Sequence, residues 1–270
     1  MTIWAVGSLA GAPGATSVAV GLGASWPAGN GRSRVVIEAN PDGGVLAARF
    51  DDLRADRTVA DVAVALRREF DPATLLALAR NLWGSLPVIP GHPSADQSTS
   101  VLLNAGDRLA TALASATDLD AIVDVGRLTA RSPAVPLAHR AAAVLLVART
   151  RFEDVAMLTC RVRELRSVGV EPCLVAVGSR PYEPTTVAGE AGLPLLAVLP
   201  DDPASAAVLA GEGRADGRLR RSLLWRMLCD ISSRLPGYEA PPVNPSAAAA
   251  TATPDTRPPS WPDRVEVAGS

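Results

Sequence analysis

"SLAGAPGATS", residues 8–17, lies between an apolar run ending at Val6 and a small-residue run that can open a helix. Glycines at such a junction leave backbone N–H groups bare, and with a helix N-terminus behind them these groups point at an anion. The loop that uses this device for phosphate reads G-x-x-x-x-G-K-[ST], with a lysine directly before the hydroxyl residue. Here Ala15 stands in the lysine's place, before Thr16 and Ser17. The residues leave three readings open: a phosphate loop without its lysine, a loop for another cofactor, or a close-packed turn that binds nothing.

The missing lysine belongs to a wider pattern. All 26 basic residues among the 270 are arginine, and no lysine occurs anywhere. Every mechanism that needs a lysine amine is thereby excluded, including Schiff-base chemistry, Ser–Lys dyads and the Tyr-x-x-x-Lys pair of short-chain dehydrogenases. A net charge of −2 offers nucleic acid no global attraction, so no sequence-specific nucleic-acid role is expected. Cys160, Cys173 and Cys229 lack C-x-x-C pairing, and His92 and His139 are the only histidines. Zinc, a disulfide framework and a histidine triad therefore find little material. Residues 1–31 carry no charge. They lack the positive start of a signal peptide, and Gly, Pro and Ser break them too often for a membrane span. A soluble, cytoplasmic chain is expected.

Apolar runs at 2–8, 33–39, 85–91, 119–126, 141–149, 172–179 and 193–202 read as strands. Helical spacing occupies 16–26, 58–69, 71–82, 99–116, 151–169 and 218–235, with Gly169 closing the fifth. Strands apolar along their whole length are buried on both faces, as in a parallel sheet covered by helices. The alternation predicts an α/β, doubly wound, mostly parallel sheet with helices on both faces. Ligands then bind at the carboxyl ends of strands, which places the loop at 8–17, "VVIEANPDGG" (35–44), "AIVDVGRL" (121–128) and "LPDDPASAAVLAGEG" (199–213) at one edge.

In this order and spacing the chain resembles the MinD/ParA-like P-loop ATPases over about residues 1–235. Their loop, S-G-K-G-G-x-G-K-T-T, is matched at Ser8, Gly11, Gly14, Thr16 and Ser17 and departed from at Leu9, Ala10, Ala12 and Ala15. Both family lysines are thus alanine. The strand-2 motif D-x-D-P is similar to Glu38-Ala39-Asn40-Pro41, and the hydrophobic strand ending in Asp resembles residues 121–124. The resemblance implies ATP or ADP held by Gly11, Gly14, Ala15, Thr16, Ser17, Glu38 and Asn40, with Mg²⁺ on Thr16 and Asp124. It assigns no catalytic residue. Without its lysines a phosphoryl-transfer site loses the charge on which it relies, so hydrolysis is expected to be crippled and binding weak or absent. Within the family, "LPVIPGHPSADQ" (86–97) and "LDAIVDVGRL" (119–128) look most like the CpaE/TadZ-like branch that accompanies Flp/Tad pilus and secretion machinery.

The implied role is a non-hydrolysing positioning or scaffold factor for a pilus/secretion or partitioning machine. Its partners are then proteins of that machine, and any homodimer is independent of nucleotide. The alternative is a weak ATPase cycling on a membrane or nucleoid surface. A further alternative takes "GAPGATS" as a Rossmann dinucleotide fingerprint, with Glu38 as the acid that binds a ribose hydroxyl. Asp124 also has a plain reading, a strand-end carboxylate capping a loop N–H, and Arg127 or Arg131 are the cations nearest in sequence to replace a lysine. The apolar stripe of 218–235 suits a helix packed on the core, or a peripheral membrane contact.

The P-loop domain is expected over 1–238, followed by a disordered Pro/Ala-rich tail at 239–270. That tail has too few large apolar residues to offset an ordering entropy of about 1–2 kcal/mol per residue. Deleting 240–270 should leave the melting temperature and the oligomeric state unchanged. A truncated chain that melts early or dissociates would show the tail to be docked.

Overall fold

Each of the seven apolar runs forms a strand, because its side chains meet helices on both sides of one sheet. A computed structural model of the protein describes residues 2–10, 14–27, 31–54, 57–68, 71–213 and 215–235. Gly11 and the expected tail at 239–270 lie outside them. The strands are β1 (Thr2–Ser8), β2 (Ser33–Glu38), β3 (Arg80–Leu82), β4 (Leu86–Ile89), β5 (Leu119–Arg127), β6 (Ala143–Arg149), β7 (Pro172–Val177) and β8 (Leu195–Leu199). They stand in the order β3-β4-β2-β5-β1-β6-β7-β8. All neighbours are parallel except β3 and β4.

The two-residue period of a strand sends alternate side chains to opposite layers. Ile3, Ala5, Val35, Ile37, Ala121 and Val123 join one buried cluster. Trp4, Val6, Val36 and Ile122 join the other. The first cluster is covered by α3 (Val59–Ala65), α4 (Pro72–Leu78), α5 (Ala95–Ser115), α6 (Val135–His139), α7 (Phe152–Ser167) and α8 (Pro184–Ala191). The second is covered by α1 (Ala15–Ser25), α2 (Leu46–Arg49), α9 (Pro203–Leu209), α10 (Gly217–Arg221) and α11 (Leu223–Arg234). Helix α7 ends as expected at Gly169, whose φ is 76°. The N–H of Gly169 donates to Arg166 O and that of Val170 to Leu165 O, closing a Schellman turn.

Three expectations are corrected. The helix expected over 71–82 stops at Leu78, and 80–82 forms β3, the antiparallel edge strand. Trp83 and Gly84 turn the hairpin at φ 52° and 75°, with Asp52 accepting from Trp83 N and the Phe50 ring edge-on to Trp83. Residues 218–235 form two helices, because Ser222 leaves the helical path and its hydroxyl caps Trp225 N at 3.0 Å. The Rossmann alternative fails on topology. In that fold the first two strands are neighbours, whereas β5 and β6 flank β1 here.

Most of the apolar stripe of α10 and α11 is spent inside the protein, with Leu223 left exposed. Leu219, Leu224, Leu228, Ile231 and Leu235 are buried. Leu228 sits against Gly21 of α1 so closely that an added Cβ would lie 2.6 Å from its Cδ1. Leu228→Ala should cost about 3 kcal/mol, in the range of buried leucine truncations, and denaturant unfolding reads it. A loss under about 1 kcal/mol would mean that this face is not core. No helix among the described residues is long and apolar enough to cross a membrane.

Candidate functional site

The carboxyl edge of the sheet gathers most of the residues that the sequence singles out. Gly14 is the N-cap of α1 at φ 94°, a left-handed conformation that glycine adopts without strain. Among the described residues, its chain neighbours aside, no atom lies within 4 Å of where its Cβ would be, and no side chain caps the helix. The first-turn N–H groups behind it are those of Ala15, Thr16 and Ser17. Ala15 is buried, and Thr16 and Ser17 are half-buried. On the other side of the loop, Arg161 of α7 donates its guanidinium to Leu9 O.

Register brings the two acids together: Glu38 of β2 is paired with Asp124 of β5, and Asp124 with Val6 of β1. Both carboxylates are fully buried. Asp124 Oδ1 accepts from Gly126 N at 3.0 Å, as the plain reading expects of a strand-end acid. Among the described residues its Oδ2 is buried with no hydrogen-bond partner. Burial pushes the Asp124 carboxyl above its ordinary range, while the Thr16 hydroxyl, the Gly126 N–H and the Arg49 charge pull it back. Thr16 and Asp124 are therefore neighbours, as a shared cation would need.

Glu38 has a different task. Its Oε1 accepts from Val45 N at 2.7 Å and Leu46 N at 3.2 Å, and its Oε2 from Gly91 N at 2.8 Å. One side chain thus ties the loop after β2 to the loop after β4. These loops touch through glycine: a Cβ on Gly44 would lie 2.5 Å from Gly91 O. Burial first, and the Asp124 charge second, push Glu38 from 4.5 up to about 7 against the pull of the three N–H groups.

Asn40 Oδ1 accepts from Asp42 N at 3.0 Å, shaping the turn, and packs onto Gly126, where a Cβ would lie 2.0 Å from it. Arg127, a candidate lysine substitute, faces Asp42 at 3.7 Å. Gly91, Gly126, Arg49 and Arg161 were not marked by the sequence reading. Gly91 stands inside the quoted "LPVIPGHP" run, so its place after a strand was the available signal; Arg161 is one of several arginines on α7 and carried none. The segment after β8 also meets this edge. Asp202 caps α9 by accepting from Ser205 N, and Gly211 abuts Arg49, where a Cβ would lie 2.4 Å from its carbonyl oxygen.

This architecture is close to that of known ATPases. A ParA family ATPase from Chlorobium tepidum TLS superposes with a TM-score of 0.72 at 15% identity, covering 87% of this chain and 98% of that one. The fold is that of the ParA/MinD ATPases. The septum site-determining protein MinD from Pyrococcus horikoshii OT3, solved with Mg-ADP, gives 0.65 at 17% identity over 87% and 95%. A plasmid partition protein from Borrelia burgdorferi B31, bound to AMPPNP, gives 0.61 at 10% over 86% and 98%. The sequence itself matches no protein-family model and no curated protein.

Proposed function

We propose that the protein keeps the ParA/MinD architecture as a positioning or scaffold factor and does not hydrolyse ATP. The observation that carries this reading is Ala15. It opens α1 directly behind the left-handed Gly14, where a phosphate loop needs its ammonium, and the chain has no lysine to place there. Phosphoryl transfer depends on positioning and charge, and Gly14 with the first turn of α1 offers backbone N–H groups without that charge. Arg161 of α7 is turned to a loop carbonyl, and the Arg49 charge acts on Asp124.

Residual binding of Mg-ADP or Mg-ATP fits the residues present. Thr16 beside the unpartnered Asp124 Oδ2 suits Mg²⁺, which takes few protein oxygens and completes its shell with water and phosphate. Bound there, the ion would neutralise phosphate charge. Gly14, Ala15, Thr16 and Ser17 would supply backbone N–H groups, while Asn40 shapes the loop after β2 and Glu38 braces it. This retained pair favours a second reading, a weak ATPase cycling on a membrane or nucleoid surface. Equilibrium nucleotide binding together with phosphate release from purified protein separates the two. The first reading expects weak or no binding and background turnover; turnover that disappears in Asp124→Ala establishes the second.

Partners of the first reading are proteins of a pilus/secretion or partitioning machine, as the likeness to the CpaE/TadZ-like branch suggests. Any homodimer then forms without nucleotide, because Ala10 replaces the lysine that resemblance assigns to the ATP-bound dimer.

A further inference from the structure

We propose that the outer face of α3 and α5 joins two copies of this chain about a two-fold axis, with Leu103 of each copy entering a groove on the other. The core side of α5 follows the helical period through Leu102, Ala105, Leu109, Ala112 and Leu113. Leu103 breaks that period. It is 71% exposed, the most of any large apolar side chain among the described residues, and Val64 on the neighbouring α3 is 61% exposed. Between the two helices runs a groove of about 280 Å³, whose apolar lining is Ala60, Ala63, Val64, Val101 and Ala105.

One end of this groove is cationic. Helix α3 starts just past β4, where Val59 N donates to Pro90 O, and α5 starts past the same strand. The two run side by side in one direction, so their later residues Arg67 and Arg108 share an end, and no carboxylate among the described residues lines the groove. Arg108 donates to Asn104 O at 3.0 Å. Among the described residues neither arginine makes an ion pair, and neither does Asp96, exposed in the first turn of α5. Asp107, on the same face, is already held by Arg140 at 2.9 Å, and Asn104 donates within the helix to Ser100 O at 2.7 Å.

The face therefore carries an apolar knob, an apolar groove, an unpaired acid and two unpaired cations, and antiparallel placement of two such faces matches them. With Leu103 in the groove of the other copy, Asp96 lies two turns away, about 10 Å along the helix, over the end that holds Arg67 and Arg108. A two-fold axis makes each contact twice, and this self-complementarity selects a second copy as the occupant. A lipid surface would instead cover unpaired charges around a single leucine. Helix α5 has 21 residues, about 31 Å, and α3 adds two turns, so the contact falls at the low end of specific interfaces, about 1,200 Å² in total. The expected dimer is weak, in the micromolar range. The proposal rests on the reading that any homodimer forms without nucleotide.

Sedimentation equilibrium of the full chain without nucleotide, across micromolar concentrations and above, tests it. The wild type should be a concentration-dependent dimer that added salt weakens. Leu103→Glu alters an exposed residue, so the melting curve should stay unchanged while association weakens by about tenfold or more. Arg108→Glu and Asp96→Arg should each weaken it likewise, and the two together should recover association, because the paired charges exchange signs. Leu223→Ser, at the exposed start of α11, should change nothing. A monomer at every concentration, or a double charge variant no better than its parents, overturns the proposal. A nucleotide-free dimer that Leu103→Glu leaves intact sinks this surface alone. A dimer that forms only with Mg-ATP sinks the reading beneath it as well.

Discussion

Ala15→Lys should tighten Mg-ATP binding by about ten- to a hundredfold, the worth of one charge-assisted hydrogen bond, and leave turnover near background. Ala15 is the first residue of α1 and is buried, so a lysine there must extend from the edge of the core toward the loop. An ammonium there adds to backbone N–H groups already aimed at an anion, so binding recovers first. Hydrolysis needs charge that develops only in the transition state, and Ala10 leaves a second lysine missing. Fluorescent-nucleotide titration reads the binding, and phosphate release reads the turnover. A wild-type chain with ordinary family turnover, abolished by Asp124→Ala, would show that the lysine argument is wrong.

Glu38→Ala should destabilise the fold by about 3–5 kcal/mol at about pH 5, because it leaves three buried N–H donors without an acceptor and opens a cavity. Those donors are Val45, Leu46 and Gly91, so the loss should begin with loosening of the loops at 40–46 and 90–92. Hydrogen exchange at these amides and urea unfolding measure it. A change under about 1 kcal/mol would show the clamp to be idle.

The wild type adds a pH signature of defined sign. Glu38 has a folded value of about 7 against 4.5 when unperturbed, so the folded state keeps its proton where the unfolded chain has lost it. This contribution is complete below about pH 4.5 and is lost as the pH rises through about 7, by about 3 kcal/mol. The penalty for Glu38→Ala should therefore shrink at about pH 8, where the wild type bears the cost of a buried charge.

The legible part of this protein is the part written in consecutive residues. Runs such as 119–126 and 172–179 place consecutive apolar residues on both faces, Ala121–Val123 in one and Leu174–Ala176 in the other, which suits a sheet covered on both sides. Gly169 before Val170 announced the end of α7, and the order of loops announced which strand ends share an edge. The hairpin of β3 was missed because three residues give no period, and its turn sets Trp83 at positive φ, which no propensity suggests. Ser222 was missed because the apolar stripe continues past it in register.

The candidate site divides along the same line. The absence of lysine, the glycine before α1 and the acids that close β2 and β5 were determined by the sequence alone, since each is a matter of residue identity at a strand or helix end. Their relations were not. That Glu38 is enclosed by N–H groups from residues 45, 46 and 91 depends on β4 lying beside β2. That Asp124 keeps one oxygen without a partner depends on α1 and Gly126 closing over it. Burial and pairing are properties of what lies across a strand or a loop. A chain read residue by residue holds the chemistry of each side chain, and the tertiary structure decides which charges meet, which are spent and which are left for a ligand.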